Sequence, residues 1–147
     1  MGALTSELQA FLDAQPAGVL ATLTPDCHAR QSFVYFARDG ERLLVSTLAD
    51  RLKTRDVRRT GWASLCVMGH DAPYPSATLS GPAEILTENI GAATAAIAQR
   101  ITRAEVPPEA LSDDVLAEAG RVVLSITVER VGATSYIPAA SGTEASR

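Results

Sequence analysis

A chain of 147 residues, 46% of them hydrophobic, has the size of one domain and can bury a substantial core. Its formal net charge of -4 argues against a general nucleic-acid-binding role, which needs a broad basic face. No run of about 18 uncharged apolar residues occurs, so no membrane span is expected.

The N-terminal stretch, Met1 to Gln15, carries Glu7 and Asp13 and no basic side chain. A secretory signal needs a positive start and an unbroken apolar centre, so a cytoplasmic location is expected. Residues 5–14 read as a helix, with Thr5 or Ser6 as cap and Ser6 with Gln9 at the spacing of a capping box. Leu4, Leu8, Phe11 and Leu12 line one face, and Pro16 ends the helix. A first strand follows over 17–23, and Thr24-Pro-Asp-Cys27 has turn chemistry. A second strand is expected over 28–38. Within it Tyr35 and Phe36 take opposite faces, one for the core and one for a groove or seam.

Asp39-Gly40 signals a hairpin into a third strand at 42–47. Residues 50–60 read as a short helix, and Trp62 to Met68 as a fourth strand with Cys66 as a small buried hydrophobe. The two prolines of His70 to Pro75 mark a loop. Ser76 to Thr87 is the fifth strand, bulged or kinked at Gly81-Pro82. Two helices are expected at 88–103 and 112–119, the second capped by Ser112, and a sixth strand at Arg121 to Val131. The tail 138–147 is small and polar and is expected to fray. The sum is a mainly β single domain over 1–137. Six antiparallel strands in sequential hairpins, with peripheral helices, favour a barrel over a doubly wound sheet.

The familiar signatures of chemistry are missing. There is no GxxxxGK[ST], no GxGxxG after a strand and no GxSxG. Cys27 and Cys66 have neither the number of a disulfide framework nor a zinc spacing, and His28 and His70 match no metal motif. An enzyme built on this sequence relies on a bound cofactor for the hard chemistry. One stretch stands out. Lys53, the only lysine, lies in Arg51-Leu-Lys-Thr-Arg-Asp-Val-Arg-Arg59, where five of the 13 basic residues meet one acid. Ser46 and Thr47 end a strand, and Arg51, Lys53 and Thr54 open the next helix. Hydroxyls, a guanidinium, an ammonium and free helix N–H groups together suit a phosphate. Arg55, Arg58 and Arg59 read as a solvated helix face.

Several segments in this order and spacing carry a family resemblance: Gly18-Val-Leu-Ala-Thr22, Arg30-Gln-Ser-Phe-Val34, Leu44-Val-Ser46, the basic run, and Ser80-Gly-Pro-Ala-Glu84. Over roughly residues 5–137 the chain resembles the pyridoxamine 5'-phosphate oxidase-like split-barrel superfamily. Within it, the chain is similar to the small actinobacterial F-420-dependent reductases. The resemblance implies a six-stranded split β-barrel and a homodimer with a cofactor groove at the subunit interface. It implies an oxidoreductase that passes hydride from the deazaflavin F-420 to an unsaturated small-molecule substrate. FMN is the alternative cofactor, and a non-catalytic flavin- or haem-binding carrier the alternative role. By similarity Ser46, Thr47, Arg51, Lys53 and Thr54 would hold the phosphate. Ser32 would approach the ring, and Tyr74 and Ser76 would come from the partner subunit. Phe33 departs from the pattern, since close F-420-binding relatives often carry a polar residue there; the choice of phosphorylated cofactor stays open.

Overall fold

Apolar runs of strand length set the strands, and tight turns such as those at 24–27 and 40–41 set the hairpins between chain neighbours. The computed structural model describes residues 2–132. In chain order it contains α1 (Ser6–Ala14), β1 (Ala17–Leu23), β2 (Ala29–Tyr35), β3 (Ala37–Asp39), β4 (Arg42–Leu48) and α2 (Leu52–Thr60). Then come β5 (Trp62–Met68), β6 (Ser76–Leu86), α3 (Gly91–Thr102), a 3-10 turn (Pro108–Leu111), α4 (Asp113–Glu118), β7 (Arg121–Thr127) and β8 (Arg130–Val131). The expected tail, 138–147, and the last residues of the expected domain lie outside the described residues.

Strands pair antiparallel in the order β2-β1-β5-β6-β7-β4-β3, with β8 against β6. This is a split barrel, mainly β, but with eight strands rather than six. Two of the expected strands are each cut in two by a tertiary contact. Phe36 interrupts the second: its N–H donates to the Pro16 carbonyl at 3.1 Å and its ring is fully buried. The strand before it pairs with β1, and the strand after it with β4. The last expected strand breaks after Thr127, where the N–H groups of Val128 and Glu129 donate to Glu41 and Ser80.

Strand β6 is the joint of the barrel. Its first seven residues pair with β5 and its last four with β7. The changeover falls at the expected kink, Gly81-Pro82. A Cβ on Gly81 would lie 1.9 Å from the Thr127 carbonyl oxygen, so only glycine lets the two strands approach.

Leu20, Val45, Leu65, Leu79, Leu124 and Ile126 fill the barrel, and α1 inserts Leu8, Phe11 and Leu12. Thr5 caps α1 by accepting from the Leu8 N–H at 3.2 Å, while Gln9 donates to the Leu4 carbonyl at 3.1 Å; the Ser6–Gln9 capping box does not form. Ser112 caps α4 as expected, accepting from Val115 at 3.3 Å. A second, smaller core lies on the outer side of β4 and β7. There Leu44 and Val123 pack under Ile97 of α3 and Leu116 of α4. Among the described residues no helix is long and apolar enough to cross a membrane. Cys66 departs from its expected burial: it is exposed on β5, opposite Val19 of β1.

Candidate functional site: a cationic cleft at the β4–α2 junction

The junction is built by two bonds to one carbonyl. Leu48, the last residue of β4, accepts from the Arg51 N–H at 3.2 Å and from the Thr54 hydroxyl at 2.7 Å. These bonds turn the chain and start α2 with Arg51 as N-cap, extended at φ -71 and ψ 150. Arg51 makes no capping bond through its side chain, and the first turn holds no acid. The N–H groups of that turn therefore project without a capping side chain at the positive end of the helix. The side chains make this worse: Arg51 and Lys53 add cations to the end of a dipole that favours anions. Such placement opposes helix stability by about 0.3–1 kcal/mol per charge. Partial burial, together with the Arg51 charge, holds the Lys53 ammonium below the usual lysine range.

Asp56 does not relieve this charge. It is 1% exposed and faces the barrel end, where Thr22 donates to it at 2.9 Å, Arg30 at 2.6 Å and Arg59 at 3.2 Å. Burial pushes its carboxyl up, but the bonds from Arg30, Thr22 and Arg59 outweigh this and hold it below the usual carboxylate range. Asp56 thus locks α2 against β1 and β2 and leaves the opening turn of the helix uncompensated. Arg59 stays on the exposed face, as expected, while its guanidinium reaches back to Asp56 and the Leu23 carbonyl.

Beside the junction lies a cleft of about 330 Å³. Ser46, Lys53 and Arg121 line it, and among the described residues no carboxylate does. Ile97, Ala98 and Ile101 of α3 make one wall, and Phe33, Val34 and Tyr35 of β2 the other. Phe33 and Tyr35 meet edge to face, centroids 5.7 Å apart at 79°. Of the aromatic pair singled out in the sequence, Phe36 is the core residue and Tyr35 the groove residue.

Of the expected site residues, Ser46 and Lys53 line this cleft. Arg51 stands beside Lys53 without lining it. The Thr54 hydroxyl is fully buried on Leu48, so its bond holds the turn. Thr47 is buried opposite Val122. Ser32 faces Leu20 on the barrel side, one residue from Phe33. Tyr74 lies in the β5–β6 connection and Ser76 opposite Met68; neither lines the cleft of its own chain. Arg121 and the α3 wall carry no local sequence signal, because only the β4–β7 pairing brings them here. A second hollow of about 340 Å³ holds Trp62 beside Gly81, with Glu129 and Arg130 supplying both signs of charge.

The outer face next to the cleft is apolar and open. Phe33 is 68% exposed and Met68 59%, and Val19 lies between Phe33 and the exposed Cys66 in register.

The described residues thus form a split antiparallel barrel with an uncapped cationic helix start beside an open cleft. Residues 4–135 match the pyridoxamine 5'-phosphate oxidase family, and the chain belongs to that family. Among solved structures, an F420 reductase is 25% identical, with 84% of this chain and 94% of that one covered at a TM-score of 0.68. A conserved hypothetical protein from Mycobacterium tuberculosis has the same fold at 20% identity, covering 88% and 83% at a TM-score of 0.74. An FAD and heme binding protein from Mycobacterium smegmatis does so at 18%, covering 87% and 68% at 0.65. Among curated proteins, none matches the sequence.

Proposed function

We propose that the protein is an oxidoreductase that holds the deazaflavin F-420 at the β4–α2 junction and reduces an unsaturated organic substrate. The observation that carries this reading is the uncompensated start of α2. Arg51, Lys53 and three N–H groups converge there, the only acid of the run is committed to Arg30 and Arg59, and the stability of the helix is lowered for it. A phosphate supplies the missing charge and accepts those donors. The reduced cofactor, when bound, supplies hydride to the substrate double bond.

The chain's own residues position and shield. Lys53 and Arg51 neutralise the phosphate, and Ser46 adds a hydroxyl. Ile97 and Ile101 wall one side of the cleft and Phe33 the other. Among the described residues no carboxylic acid or imidazole lines the cleft, and the proton that completes the reduction is assigned to solvent. A volume of about 330 Å³ is at the lower end for ligand pockets, and one chain supplies only part of the walls. A homodimer through the outer face of Phe33, Val19 and Met68 completes them, with Tyr74 and Ser76 entering from the partner. FMN is the second reading, favoured by the aromatic ring of Phe33 where F-420-binding relatives often carry a polar group.

Parallel titrations of the purified chain with F-420 and FMN test this. Lys53→Ala and Arg51→Ala are each expected to weaken binding about tenfold, the loss of one charge-assisted contact. If neither substitution changes the affinity for either cofactor, the phosphate site is elsewhere. Binding without turnover over a panel of enones and biliverdin-like acceptors would make the protein a carrier.

A further inference from the structure

The cleft contains a second cation besides Lys53, Arg121. In the β4–β7 ladder Arg121 stands opposite Leu48, and Val123 opposite Ser46. Opposed residues of an antiparallel pair share a face, as do residues two apart. Ser46, Leu48, Arg121 and Val123 therefore project together, to the side where Val123 packs under Ile97 of α3. The strand start is fixed, because the Ala49 N–H donates to the Gly120 carbonyl at 2.9 Å.

The surroundings of Arg121 differ from those of the arginines that brace the fold. Arg30, Arg38, Arg42 and Arg59 each lie within 2.6–3.2 Å of an aspartate. Arg121 belongs to none of the ion pairs among the described residues, and its cleft offers it no carboxylate. Beside it are Ser46 and Lys53, and along the cleft the apolar α3 wall of Ile97, Ala98 and Ile101. Ile101 is 49% exposed, so this wall presents open apolar surface to whatever enters. A guanidinium fork at the end of an apolar slot matches a carboxylate at the end of an apolar body.

We propose that Arg121 is a specificity residue that binds a carboxylate, and that the substrate is an apolar, conjugated carboxylic acid lying along α3. This rests on the reading that Lys53 takes the cofactor phosphate and leaves Arg121 to the substrate.

The test compares naphthoate with its uncharged analogue naphthamide on the purified full chain, by calorimetry. The parent is expected to prefer naphthoate by about tenfold, one charge-assisted bidentate contact. Arg121→Gln should abolish the preference, Arg121→Lys should keep part of it, and Lys53→Gln should retain it. A preference unchanged in Arg121→Gln, or lost in Lys53→Gln, overturns the inference. FMN and F-420 titrations of the same variants separate this from the cofactor reading. If Arg121→Gln weakens either cofactor as much as Lys53→Gln does, Arg121 belongs to the phosphate site; the inference fails and the cofactor reading stands. If Lys53→Gln leaves both cofactors unaffected, the cofactor reading itself fails.

Discussion

Replacing Asp56 by Asn should lower stability by about 2 kcal/mol. The carboxylate is 1% exposed and takes bonds from Thr22, Arg30 and Arg59. Breaking a fully buried ion pair from one side costs about 3–5 kcal/mol. Here the two arginine side chains are 28% and 38% exposed, so water compensates them in part and about half of that cost remains. Asn keeps the shape and one acceptor but turns an amide donor toward guanidinium donors. For a chain of this length about 2 kcal/mol corresponds to a fall of roughly 8 °C in Tm. The acid dependence gives a second, independent readout. The Asp56 carboxyl sits below the usual range in the folded protein, so its contribution is fully present above the unfolded carboxylate range and is lost as pH falls through the folded value. Urea titrations at a series of pH values should therefore show the gap between parent and variant complete at pH about 7 and narrowing below pH about 4. A gap that stays constant through the acid range, or a Tm loss under about 2 °C, refutes the clamp.

Three further outcomes follow from other parts of the fold. Because Lys53 titrates below the usual lysine range, phosphate-bearing cofactors should lose affinity as pH rises through that depressed value, whereas Lys53→Arg should hold its affinity flat; equal slopes in fluorescence titrations of the two proteins would count against the site. Gly81→Val should cost about 3 kcal/mol or more in a thermal melt, since its Cβ has no room beside Thr127, and a melt matching the parent would show that the β6–β7 approach relaxes freely. Phe33→Ser, at a mostly exposed ring, should change stability by no more than the ~0.5 kcal/mol typical of surface changes yet weaken self-association in sedimentation; a parent chain that is monomeric at tens of micromolar, roughly, removes the dimer proposal.

What the sequence carried plainly was local. The helix starts at Thr5 and Ser112 were legible because a cap is a contact within one turn. The basic run was legible because Lys53 and Arg51 lie two residues apart, and α2 places both in one turn at its opening. The unread features were all long-range. Nothing around Phe36 marks a strand break; it arises because its ring is drawn into the core while its N–H bonds Pro16, twenty residues earlier in the chain. Cys66 sits in the apolar run Leu65 to Met68, and only the assembled sheet decides that the face of Leu65 and Val67 is covered and its own is not. Arg121 looked like the first residue of a terminal strand until β7 laid it beside β4.

The distribution of charge over α2 shows which constraint shaped it. A helix of nine residues selected for stability alone would put its acid in the first turn and its bases in the last. Here Arg58 and Arg59 do sit in the last turn, as the dipole favours. The one acid has moved inward to Asp56, where it pairs across to Arg30. The same substitution pattern therefore does two things at once: it anchors the C-terminal half of α2 to the barrel, and it strips the N-terminal half of its natural counter-charge. Arg51 and Lys53 then raise the local potential further, at the mouth of a cleft that contains no carboxylate. Local helix rules are violated at one end only, and that is the end that faces the cleft, as expected where function rather than folding selected the residues. The anchor explains why the violation is tolerated. With Thr54 bonded to Leu48 and Asp56 bonded to Thr22, Arg30 and Arg59, the helix start is held in place by the barrel itself, as the proposed anion site requires.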